Sequence, residues 1–199
     1  MYALIGDLVG SRGLADRGAV HVRIDQVLRE VDRLVPGVQH LEQTVGDEFQ
    51  GAYSDVHSAA RAALLVRLAM LPAVDVRCGI GHGDAETFDD TRTPRLQDGP
   101  AWWSAREALE QMATPRRAWL RTWYVGPGSE DVDARLMCRD ALVDRLNDRG
   151  RRMLALSLRG HNQREIAALE GVSKSAVSQA FARGISAVRE AEDLVAGEA

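Results

Sequence analysis

The sequence predicts an α+β chain in two parts: a sheet-bearing N-terminal domain over residues 1–142 and a small all-α domain over residues 143–199. Three observations predict it. Short apolar runs closed by Gly-Asp steps alternate with helix-period segments in the order β-α-β-β-α-β. No strand pattern follows Leu146, and around that point arginines crowd together, with Arg145, Arg149, Arg151 and Arg152 in close succession.

Composition bounds the rest. A chain of 199 residues that is 45% hydrophobic can bury one domain core with a small addition. The formal charge of -4 gives no whole-chain sign of a nucleic-acid partner, so any such surface must be local. Two cysteines, Cys78 in a predicted strand and Cys138 in a predicted helix, make no disulfide framework and fit a reducing compartment. No signal-peptide pattern or membrane-length apolar run is present, so the expectation is a soluble, cytoplasmic protein.

In chain order, Tyr2–Ile5 reads as a buried strand closed by Gly6-Asp7, and Leu8 to Gly13 as a glycine-rich loop. Backbone N–H groups at Gly10, Ser11 and Arg12 could approach a phosphate there, although a plain strand-to-helix turn has the same composition. Val20, Ile24, Val27, Leu28, Val31 and Leu34 recur at helical spacing until Pro36-Gly37. Leu41–Val45 and Glu48–Tyr53 read as a hairpin with Asp47 at its tip. A second helix starts after Ser54 or Asp55 and stops at Pro72, and Val74–Ile80 alternates like a strand. With right-handed crossovers this order builds a ferredoxin-like split βαβ unit with both helices on one face.

The hairpin and the first strand would then be neighbours, bringing Asp7 beside Asp47. Two adjacent carboxylates repel unless a proton or a cation intervenes, so the pair suggests Mg²⁺; ordinary Gly-Asp turn chemistry is the alternative. Beyond the sheet pattern, His82 sits between two glycines as a ligand or a loop residue, and 91–99 looks like a loop. Pro100 opens a helix to Met112 carrying Trp102, Trp103 and Arg106. Adjacent tryptophans cannot share a helix face, so one of them is left to stack on a base, to cover a neighbouring subunit or to lie half-buried. Ala118–Val125 reads as an edge strand and Asp131–Leu146 as an amphipathic helix leading out of the domain.

In the C-terminal part, Arg151–Leu158 forms a helix, His161 or Asn162 caps a second, Gly171 makes a tight turn, and Ser173 opens a third running to Arg183. A small Ala167, a turn-forming Gly171 and apolar Ile166, Val172 and Val177 meet the needs of two helices crossing at a short turn. That leaves Arg164, Ser173, Lys174, Ser175, Ser178, Gln179 and Arg183 as candidate contacts to double-stranded DNA, on a segment where basic residues outnumber acidic ones. A dimerisation or protein-docking bundle is the alternative.

The blocks Tyr2–Arg12, Thr44–Gly51, Arg77–Gly83 and Asp98–Arg106 together resemble the SatD family over roughly residues 1–112. More remotely they resemble class III nucleotidyl cyclases and GGDEF diguanylate cyclases. That resemblance implies a nucleotidyl-cyclase-type palm in which Asp7 and Asp47 match the metal-binding aspartates and Arg106 falls at a transition-state arginine. Gly46 and Glu48, flanking Asp47, join Gly10, Ser11 and Arg12 as candidate nucleotide contacts. The chain departs from the cyclase pattern at Trp102, where an asparagine is expected, at Gln43, in place of a purine-selecting lysine, and at Val45, in place of the first glycine of the GGDEF motif. Residues 143–190 resemble region 4 of sigma-70-type factors and related bacterial regulators.

The expectation is a DNA-binding regulator whose palm binds a nucleotide with Mg²⁺ and whose Asp131–Leu146 helix conveys occupancy to the helix-turn-helix. A homodimer is expected of both kinds of module. Two rivals follow from the same residues: an active cyclase or nucleotidyltransferase using Asp7 and Asp47, and a scaffold that binds neither nucleotide nor DNA.

Overall fold

A computed structural model of the chain describes residues 1–13, 16–92 and 94–196, with the side chain of Arg12 outside the described set. It divides into two compact units, Met1–Met137 and Cys138–Ala199, and the division falls within helix α4 (Ser129–Arg145). No helix among the described residues is long and apolar enough to cross a membrane.

The first unit is built on a five-stranded sheet. Its strands are β1 (Tyr2–Leu8), β2 (Gln39–Gln43), β3 (Glu48–Tyr53), β4 (Val76–His82) and β7 (Thr122–Val125), in the order β2-β3-β1-β4-β7. The first four pair antiparallel, and β7 runs parallel to β4 at the edge. The adjacency expected of the first strand and the hairpin is present, since β1 pairs with β3 from Tyr2↔Tyr53 to Asp7↔Glu48.

Helices α1 (Arg17–Leu34) and α2 (Val56–Met70) pack against each other and the sheet. Each begins at an aspartate, because a side-chain oxygen at the N-cap satisfies an amide that the first turn leaves unpaired. Asp16 accepts from the Ala19 amide at 2.9 Å, and Asp55 from the Ser58 amide at 2.7 Å. α1 buries Ile24, Val27, Leu28 and Val31, a single stripe at helical spacing.

Helix α3 (Pro100–Met112) lies against β1, β4 and β7 and buries Trp102, Leu109 and Met112 with Ala3, Ile5 and Trp123. It approaches β4 at backbone distance. A Cβ at Gly79 would lie 2.3 Å from the Ala105 carbonyl oxygen, and one at Gly81 would lie 2.1 Å from the Ala105 amide nitrogen. Gly79 and Gly81 therefore let a helix settle onto the sheet.

Expectations change at several points. Gly6-Asp7 does not close the first strand, which continues to Leu8. Gly6 leaves room for the Phe49 ring, whose Cζ would stand 2.1 Å from a Cβ there, and the chain stays extended to pair with both neighbours. Residues 91–99 are not all loop: β5 (Glu86–Asp89) and β6 (Leu96–Asp98) form a two-stranded sheet whose mostly exposed residues carry no buried alternation. Of the strand expected over 118–125 only Thr122–Val125 is extended, because Leu120 closes a turn onto the Arg117 carbonyl at 2.9 Å.

The second unit holds α5 (Asp148–Leu158), α6 (Gln163–Glu170), α7 (Lys174–Ala180) and α8 (Ser186–Ala196) with the end of α4. Asn162 and Glu165 form a reciprocal capping box at the start of α6, Gly171 ends it with φ 64°, and Ser173 caps α7. Ile166, Val177, Phe181, Ile185 and Val188 are buried, while Val172 is half-buried. The third helix expected to reach Arg183 ends at Ala180 and passes through a wide turn, Phe181–Ile185, in which Gly184 takes φ 140°.

Candidate functional site

Asp7 and Asp47 come from segments far apart in sequence and meet through backbone pairing. Asp7 stands opposite Glu48 in the β1–β3 ladder, and the Leu8 amide donates to the Asp47 carbonyl at 3.3 Å. Asp47 follows Gly46, whose φ of 79° makes the turn between β2 and β3. Gly10, at φ 71°, starts the short turn Ser11–Gly13. Ser11 is buried and its hydroxyl donates to Asp47 Oδ2. The two Gly-Asp segments and the Ser11 turn therefore share one end of the sheet. Arg12 belongs to that turn, and its side chain is outside the described residues.

Sequence reasoning missed Arg77. It lies opposite Asp7 in the β1–β4 ladder, and its guanidinium forks the carboxylate, Nε to Oδ1 at 3.1 Å and the second nitrogen to Oδ2 at 2.6 Å. Such bidentate pairs are among the stronger charge-assisted hydrogen bonds. The Asp7 hydrogen bonds, and the charges of Asp7 and Asp47 together, hold Arg77 protonated more firmly than an ordinary arginine. The one available signal was a basic residue within the strand Val76–His82, but only the strand register identifies its partner.

Arg106 reaches from α3 to β3 and forks Glu48 with two contacts of 2.7 Å. Its guanidinium is likewise held protonated, chiefly by Glu48, with smaller contributions from Glu110 and Asp7. Three carboxylates and two guanidiniums thus gather at one end of the sheet. Beside them a cavity of about 530 Å³ is lined by Ile5, Gln50, Gln97, Trp102, Trp103 and Arg106, among others. Trp102 is buried and Trp103 is 60% exposed, the division that adjacent tryptophans on one helix impose. Trp103 is nonetheless fixed, since its indole N–H donates to Asp98 Oδ1 at 2.5 Å.

Does this arrangement fit Mg²⁺? The ion binds through one or two carboxylates in near-octahedral geometry and keeps several waters. Both Asp7 oxygens are engaged by Arg77, and Asp47 Oδ2 by Ser11. No cluster of three or more histidine, cysteine, aspartate or glutamate side chains suited to a metal occurs among the described residues. The residues as arranged do not fit a bridging Mg²⁺, because a guanidinium already stands against the carboxylate that would hold it. His82, weighed as a ligand, packs against the Tyr2 ring at 4.8 Å between centroids.

In the second unit Arg164, Ser173, Lys174, Ser175, Ser178, Gln179 and Arg183 are all exposed, while Ile166 and Val177 behind them are fully buried. The Ser173 hydroxyl also accepts from the Ala176 amide at 3.2 Å, so part of its capacity serves the helix cap. Arg152 clamps Glu170 through contacts of 2.9–3.2 Å, leaving it less available to a partner than its place in the arginine run implied.

A protein-family model described as the SatD family matches residues 1–116. No curated protein matches the sequence.

Proposed function

We propose, from the premise that the chain belongs to the SatD family, that it is a DNA-binding regulator whose N-terminal unit is a ligand-binding palm for a nucleotide. The observation that carries the DNA half is the exposed polar face of α7. Its short donors and Lys174 stand on a helix capped at Ser173 and joined to α6 by a left-handed Gly171, the arrangement a sigma-70 region 4-like helix-turn-helix needs to enter a major groove. Arg164, Lys174 and Arg183 supply phosphate contacts and Ser175, Ser178 and Gln179 reach base edges in this reading.

The nucleotide half rests on the neighbourhood of Arg106. A ferredoxin-like palm related to the cyclases would offer its sheet end to phosphates, with Gly10, Ser11, Arg12 and Gly46 supplying contacts and Arg106 a countercharge on exchanging Glu48 for phosphate. The cavity beside Arg106 has room for a base, and Trp103, exposed yet anchored by Asp98, offers it a ring to stack on. Two copies of the chain pairing on a two-fold half-site would complete the regulator.

Fluorescence anisotropy with a random-sequence duplex at low salt tests the DNA half. Binding is expected, weakening steeply with salt, and weaker by about tenfold or more in Lys174→Ala/Arg183→Ala. Absence of any duplex binding by the wild type ends this half. A thermal-shift panel of nucleoside triphosphates, with and without Mg²⁺, tests the palm. If instead a triphosphate is turned over with Mg²⁺ or Mn²⁺, and Asp7→Asn and Asp47→Asn abolish it, nucleotidyl transfer replaces ligand sensing.

A further inference from the structure

Two carboxylates at one sheet end require a compensating positive charge, and the structure contains one. Arg77 is placed by strand register directly across from Asp7 and makes two hydrogen bonds to it, of 3.1 and 2.6 Å, with the side chains of both residues 23% exposed. Asp47, the other carboxylate, is turned to the Ser11 hydroxyl by the fold of the Ser11–Gly13 turn. Arg106 neutralises the third acid, Glu48. Each acid therefore has its own donor within the protein. We propose that the guanidinium of Arg77 is the built-in cation of the Asp7–Asp47 pair, so that this cleft holds its charge without a resident divalent ion.

The reason is electrostatic. A divalent ion at Asp7 would sit against a fixed guanidinium, and Arg77 cannot relieve that repulsion by losing a proton at any accessible pH. To bind, the ion must first break a bidentate pair and leave an arginine without its partner. Removing the arginine reverses the situation, because it frees both Asp7 oxygens beside Asp47 and creates the hard-oxygen pair that an ion prefers. Arg77 thus decides whether this cleft is an ion site.

The inference stands on the contacts of Asp7 and Arg77 and not on the nucleotide reading, and its experiment needs no nucleotide. The full chain is titrated with Mn²⁺, and free ion is read by electron paramagnetic resonance. Wild-type protein is expected to leave the free Mn²⁺ signal close to that of buffer, whereas Arg77→Gln binds the ion at least about tenfold more tightly and Asp7→Asn/Arg77→Gln loses that gain. Stoichiometric Mn²⁺ binding by the wild type that Asp7→Asn abolishes would overturn the proposal, and that comparison holds even if Arg77→Gln fails to fold. A folded Arg77→Gln that binds no better than wild type overturns it too.

Discussion

In the sheet unit a Cβ at Gly79 would fall 2.3 Å from the carbonyl oxygen of Ala105, and one at Gly6 would fall 2.1 Å from Cζ of Phe49. In the helical unit Gly171 has nothing within 4 Å of its Cβ position but takes a φ of 64°. The same residue type thus answers two different demands. At Gly79 another part of the chain has taken the space, and at Gly171 the backbone has taken a conformation that side chains resist. The first demand is tertiary and the second is local. The same division explains why Asn162, Gly171 and Ser173 announce their helices from a few residues of sequence, whereas Asp7 finds Arg77 only after two strands have aligned.

Three measurements probe that division, in decreasing expected effect. Gly79→Ala forces helix α3 off the sheet against a backbone atom that cannot rotate away, and is expected to cost more than about 3 kcal/mol. Tryptophan fluorescence in a urea titration reads this, because all four tryptophans, Trp102, Trp103, Trp119 and Trp123, lie in the sheet unit. A cost below about 1 kcal/mol would mean that α3 slides freely, and the tertiary side of the contrast would break.

The next effect depends on pH. Burial pushes the Asp133 carboxyl up to about 6 from an ordinary 3.8, against the lowering effect of the Tyr124 amide that donates to it at 2.9 Å. The folded state binds this proton more tightly than the unfolded chain does. Its contribution to stability is therefore complete below about pH 4 and is lost as pH rises through about 6. Asp133→Asn keeps an acceptor for the Tyr124 amide and removes the ionisation. It is expected to stabilise the sheet unit by about 2 kcal/mol at neutral pH and to change little at pH 4, read by the same fluorescence. Equal effects at both pH values would show that packing, not charge, sets the result.

The smallest effect sharpens the local side. Gly171→Ala meets open space but an unfavourable φ, so about 1 kcal/mol is expected, confined to the second unit. Amide exchange of α6 and α7 should quicken while tryptophan fluorescence stays fixed. A loss as large as that of Gly79→Ala would show a steric role for which the structure gives no basis.

Much of the fold was legible because its signals are short-range. Asp55 and Pro100 stand at the starts of α2 and α3, and the apolar stripe of α1 follows helical spacing. The β5–β6 pair was illegible, since mostly exposed strands impose no alternation on their residues. The candidate site was half legible. Gly-Asp steps marked Asp7 and Asp47, and the cyclase resemblance marked Arg106, but the ties from Arg77 to Asp7 and from Arg106 to Glu48 each join strangers in sequence.

By itself the amino-acid order determined where α2, α3 and α7 begin, which faces are apolar and which polar residues are left on α7, because caps, periodicity and glycine φ act within a few residues. Only the tertiary structure decided that Arg77 faces Asp7 and that α3 rests on Gly79 and Gly81. Strand register and helix docking are set by the summed packing of the sheet, and a one-residue slip in β4 would turn Arg77 to the other face and leave Asp7 without its partner.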